Sequence, residues 1–74
     1  SRFVDQVFIL PLHSKEFHSN TVSEAIDLLN RYTDSGDSLP VVRYEIIIRY
    51  NNGDRIEASF HNKENAVGFL LNYK

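Results

Sequence analysis

Seventy-four residues with eight basic and ten acidic side chains, a formal net charge of −2, 42% apolar content and no cysteine make one domain with one small core. The missing cysteines exclude a disulfide scaffold and a thiolate metal site and favour a cytoplasmic setting, while the charge balance builds no attractive field for nucleic acid or anionic lipid. The longest apolar run, residues 7–12, contains Pro11 and is far too short to span a bilayer, and no targeting segment is expected. The chain also has no Met and opens on Ser1-Arg2, so residues 1–74 are expected to be a single small domain excised from a longer chain.

Residues 3–10, rich in Val, Phe and Ile and ended by Pro11, predict a first strand lying at an edge or at its own terminus. A polar loop is expected over residues 12–20. Thr21 and Glu24 then form the T-x-x-E pattern of a capping box, in which the hydroxyl takes the N3 amide and the carboxylate returns to the cap amide. The helix that follows repeats Val22, Ala25, Ile26, Leu29 and Tyr32 at helical spacing, with Asp27, Asn30 and Arg31 outside and Leu28 at the stripe's margin. Residues 33–38 stop it, with Gly36 as the left-handed residue, and Leu39-Pro40 launches the next strand.

The hairpin is the clearest signal. Asn51 and Asn52 in a type I turn, with Gly53 as the left-handed residue of a bulge, pair Tyr50 with Asp54, Ile48 with Ile56, Ala58 with Ile46 and Phe60 with Tyr44. One side of the ribbon then carries Tyr44, Ile46, Ile48, Ile56, Ala58 and Phe60 as core. The other carries Arg43, Glu45, Ile47, Arg49, Arg55, Glu57, Ser59 and His61 toward water. A two-residue Asn52-Gly53 turn is rejected, because it slips the register by one and sets Arg49 and Glu45 beside Ile56 and Phe60. After the hairpin, Asn62 caps a second helix whose Ala66, Phe69, Leu70 and Tyr73 face inward, Val67 and Leu71 lie on its flanks, and Gly68 invites close packing.

Strand, helix, strand, strand, helix is an α+β order, β-α-β-β-α. A right-handed crossover would make the first strand parallel to the second, and the return strand of the hairpin would fit between them. The expectation is a two-layer sandwich: a three-stranded, mainly antiparallel sheet with both helices on one face, similar to a ferredoxin-like sheet without its last strand. The other order, with the first strand beside the second, exposes a different edge.

The open sheet face is the candidate surface. Arg43, Glu45, Arg49, Arg55 and Glu57 around Ile47 form a mixed-charge docking site, where the plain reading is a solvated face whose cross-strand ion pairs add a few tenths of a kcal/mol each. Arg49 faces Arg55, so the two guanidinium groups either pair diagonally with Glu45 and Glu57, which is the expectation, or take an external anion. The hairpin strand over residues 41–50 is a template for strand addition, countered by Pro40, Arg43 and Arg49. Surplus apolar area at Val67, Leu71 and Tyr73 points to self-association or a neighbouring domain.

His13, His18 and His61 lack the convergent spacing of a metal site. Ser14 beside His13 and Ser59 beside His61 lack an oxyanion hole and a cleft, and so small a core is expected to leave little room for a pocket. No catalytic, cofactor-binding or metal residue is therefore assigned. The expected function is non-enzymatic: a protein–protein interaction, regulatory or inhibitor module that binds another protein or a second copy of itself through the sheet face or a sheet edge. The alternative is nucleic-acid binding by a local patch of Arg43, Arg49, Arg55 and Lys63. It is disfavoured because Tyr44 and Phe60 point inward, which leaves the face no stacking platform, although Tyr50 near the hairpin tip is expected to be partly exposed.

Overall fold

A computed structural model describes residues 1–12, 15–32 and 43–74. In chain order they form strand β1 (Val4–Pro11), strand β2 (Phe17–Ser19), helix α1 (Val22–Arg31), strand β3 (Tyr44–Tyr50), strand β4 (Arg55–Phe60) and helix α2 (Lys63–Leu71). The α+β class is as expected. The expectations placed on His13 and Ser14, on the stop over residues 33–38, on Leu39-Pro40 and on residue 41 lie outside the described residues.

The sheet has four strands rather than three, in the order β2-β1-β3-β4, and every neighbouring pair is antiparallel. The extra strand is β2, within residues read as a polar loop. It lines Ser19 up with Val7 and Phe17 with Ile9. Phe17 turns inward and stacks on Tyr32 with ring centroids 5.6 Å apart, and the buried Ser19 donates from Oγ to the Thr21 carbonyl at 3.1 Å.

This short strand also decides the strand order in favour of the alternative, with the first strand beside the first strand of the hairpin, and overturns the parallel direction expected between those two. It returns the chain along β1 before α1 begins, so the crossover unit is β2-α1-β3. The strand after the helix, β3, therefore runs antiparallel to β1 and takes its free side, with Val7 opposite Ile48 and Ile9 opposite Ile46. The return strand β4 does not lie between them. It forms an edge of the sheet.

Pro11 consequently ends a central strand. Leu12 donates its N–H to the Arg43 carbonyl at 2.9 Å, which sets the even-numbered amides from Gln6 onward toward β3 and the odd-numbered ones from Val7 onward toward β2. Since β2 reaches only as far as Ile9, the N–H that Pro11 lacks would have had no ladder partner on that side.

The hairpin has the expected register. Ile48 faces Ile56, Ile46 faces Ala58 and Tyr44 faces Phe60. Gly53 donates to the Tyr50 carbonyl at 3.1 Å, Tyr50 donates back to the Asp54 carbonyl at 2.8 Å, and Gly53 sits at φ 94°, where a Cβ would be strained. Tyr50, expected to be partly exposed, is only 8% exposed, because its even number places it on the helix side together with Ile48.

Both helices lie on that side and share one core with Val7, Ile9, Ile46 and Ile48. Helix α1 buries Val22, Ala25, Ile26 and Leu29, the stripe read from its spacing. Thr21 Oγ1 accepts from the Glu24 N–H at 3.1 Å, so the hydroxyl half of the capping box forms. Helix α2 is capped by Asn62, whose Oδ1 accepts from the Asn65 N–H at 2.8 Å. It buries only Ala66 and Leu70. Gly68 is exposed, and a Cβ built there would meet nothing within 4 Å, so its expected role in close packing is not realised. Among the described residues no helix is long and apolar enough to cross a membrane.

Candidate functional site

Alternation along β1 and β3 sends the side chains opposite the core to a sheet face that no described element covers. Across this face the register aligns Phe8 with Ile47 and Glu57, Leu10 with Glu45 and Ser59, and Gln6 with Arg49 and Arg55. Phe8, Leu10 and Ile47 are half-buried and form an apolar strip across the two central strands. His18 on β2 extends it, its ring centroid 5.8 Å from that of Phe8.

The six residues expected to bind a partner share this face, and the arginines have carboxylate neighbours. Arg43 lies 3.7 Å from Glu45 and Arg55 lies 2.6 Å from Glu57. Arg49 does not pair diagonally on the hairpin as expected. It turns to β1 instead, with Asp5 Oδ2 at 3.5 Å, a hydrogen bond to Gln6 Oε1, and its guanidinium carbon 5.9 Å from the Phe8 ring centre. A bulge between Val4 and Gln6 makes this arrangement. The ladder runs Val4 to Tyr50 and Gln6 to Arg49, which leaves Asp5 as the extra residue beside Arg49. Lys63 is not part of the patch; its Nζ donates to the Tyr32 carbonyl at 2.8 Å, on the helix side of the sheet.

Arg49 and Arg55 are directly opposite each other. With Phe8, Leu10, Ile47 and Glu16 they line a shallow concavity of about 290 Å³, so the face has more relief than so small a core led one to expect. Its floor is apolar, two guanidinium groups mark one side, and one carboxylate lies across from them. A wider concavity of about 500 Å³ is lined by Arg2, Phe3, Val4, Asn20, Thr21, Tyr50 and Tyr73 among others. There Arg2 is already engaged, lying 4.0 Å over the Tyr50 ring and 3.3 Å from Asp54 Oδ2.

Sequence reasoning missed Phe8, Leu10 and His18. In β1 the run Val7-Phe8-Ile9-Leu10 is apolar on both sides, so periodicity alone assigns neither face. The pairing of Val7 with Ile48 decides it. The premise that the open face carries no aromatic ring is corrected by the Phe8–His18 pair.

Among the described residues no group of three or more His, Asp or Glu side chains is placed to hold a metal ion. No protein-family model, curated protein or solved structure matches this chain.

Proposed function

We propose that the chain is a non-enzymatic docking or regulatory module whose open sheet face receives an extended segment of another protein. The single observation behind this reading is the half-buried strip of Phe8, Leu10 and Ile47 with charged residues set around it. An apolar centre inside a polar rim is the anatomy of a protein interface. The partner segment would place one apolar side chain in the concavity and an adjacent carboxylate between Arg49 and Arg55, where bidentate pairing fixes orientation. The cysteine-free composition fits the cytoplasm.

A second reading has one observation in its favour. Phe8 and His18 with Arg49 and Arg55 are the ring and guanidinium groups that a single-stranded nucleic acid would stack on. Against it, Arg43, Arg49 and Arg55 each stand within 4 Å of a carboxylate, so the face has little net field to offer a polyanion.

Selection of displayed random peptides on the immobilised domain tests the proposal. Enriched sequences should couple an apolar residue to a neighbouring Asp or Glu and should lose binding to the Ile47→Asp protein, which is expected to stay folded. Peptides that bind Ile47→Asp as well as the parent chain would sink the docking reading. Oligonucleotide binding that weakens steeply with salt would install the second one. Ile48→Asp serves as the folding control: Ile48 is 0% exposed, and a charge buried there should abolish the thermal transition.

A further inference from the structure

The outer margin of β4 is the longest unpaired strand edge among the described residues, and its residues are complementary to themselves. The bond from the Tyr50 N–H to the Asp54 carbonyl sets the phase of the hairpin ladder, so Ile56, Ala58 and Phe60 bond to β3. The N–H and C=O groups of Arg55, Glu57 and Ser59 therefore point outward. An independent observation gives the same phase: Leu12 N–H to Arg43 C=O turns the odd-numbered groups of β3 toward β1 and leaves its even-numbered ones for β4.

We propose that two copies of this chain pair antiparallel through their β4 edges, about a two-fold axis at Ile56, to make one continuous eight-stranded sheet. Charge selects this register. Moving the axis to Arg55 would set two Arg55 side chains face to face, and moving it to Glu57 would do the same with two carboxylates; both are repulsive cross-strand pairs. With the axis at Ile56, Arg55 of each copy faces Glu57 of the other, twice by symmetry. These are the outward-bonding positions, so the charge pairs coincide with the new main-chain bonds.

The opposite side of the strand also fits. Ile56 and Phe60 are only half-buried under α2, as is Phe69, whose ring lies 5.1 Å from that of Phe60. Pairing would place Ile56 against its symmetry mate and remove apolar surface from water along the whole edge. The inference does not rest on the docking reading. The dimer uses the main-chain margin of β4 with Arg55 and Glu57, whereas docking centres on Phe8, Leu10 and Ile47; Arg55 is common to the two, and both open faces would remain exposed and side by side.

Light scattering behind size-exclusion chromatography, run over a concentration series, is the test. The parent chain should approach twice its 8.6 kDa mass as concentration rises. Arg55→Glu and Glu57→Arg should each raise the dissociation constant roughly tenfold or more, because two attractive pairs become two repulsive ones. The double variant Arg55→Glu/Glu57→Arg should restore the dimer, and Ile47→Asp should leave it intact. Circular dichroism of each variant checks folding. Amide exchange on the parent chain provides a readout without substitution: the Arg55 and Glu57 amides should be protected at high concentration and exchange freely on dilution. A chain that stays monomeric, single swaps that stay dimeric, or Arg55 and Glu57 amides that exchange freely at every concentration would each overturn the proposal.

Discussion

The two helices cover the same sheet unequally. Helix α1 lies over β1 and β2 with four of its ten residues buried, Leu29 at 0% exposure, and its Tyr32 cap joins an aromatic run through Phe17 and Tyr44. Helix α2 buries two of its nine residues, leaves Leu71 53% exposed, and covers a strand whose Ile56, Ala58 and Phe60 are all half-buried. The core is dense on the β2 side and thins toward β4. The difference teaches that the fold is anchored on one side, and that the other retains apolar surface next to an edge left unpaired among the described residues.

Truncations in the two helices put this contrast to the test. Leu29→Ala should destabilise the domain by about 3 kcal/mol, near the middle of the range for a fully buried leucine, measured by urea unfolding. Phe69→Ala removes a larger side chain, yet should cost only about 1–2 kcal/mol at low protein concentration because Phe69 is only partly buried. Equal losses would show that the core is as deep under α2 as under α1.

The caps give a finer comparison. Thr21→Ala and Asn62→Ala each delete one side-chain acceptor from a helix start and should each cost about 1 kcal/mol. Because only α1 is tightly held by its buried stripe, amide exchange after Asn62→Ala should accelerate mainly within α2, and after Thr21→Ala across the whole core. The smallest effect has the opposite sign. Gly68→Ala meets no neighbour within 4 Å and should stabilise the domain by about 0.5–1 kcal/mol through helix propensity. A loss on thermal unfolding would mean that α2 needs the glycine for a contact absent from the isolated chain.

The hairpin was legible in the sequence because two independent signals converge on it. Asn51-Asn52-Gly53 admits a three-residue loop with a left-handed glycine, and the alternation of Ile46 and Ile48 against Ile56 and Ala58 accepts only the register that loop provides. Helix α1 was legible through Thr21 and its stripe. Strand β2 was not: Phe17, His18 and Ser19 follow Lys15 and Glu16, and three residues are too few to show a period of two. Missing that strand reversed the direction of everything after it relative to β1, which is why the parallel direction and the preferred order failed, the alternative adjacency of β1 and β3 is the one found, and the hairpin held. The alternation that sets Arg43, Glu45, Ile47, Arg49, Arg55 and Glu57 on one face agrees with the observed register, but Phe8 and Leu10 beside Ile47 come from β1, where both sides read alike.

The central position of β1 also shapes how the domain is made. Its partners Ile46 and Ile48 lie about forty residues further along the chain, so the middle of the sheet cannot zip until β3 has been made. High contact order of this kind slows the search for the native topology. Trimming Ile56 to Val, beside the quickly closed Asn-Asn-Gly loop, should therefore retard refolding in a stopped-flow chevron, whereas the same methyl removed at Ile9, whose pairing with Ile46 comes late, should mainly hasten unfolding.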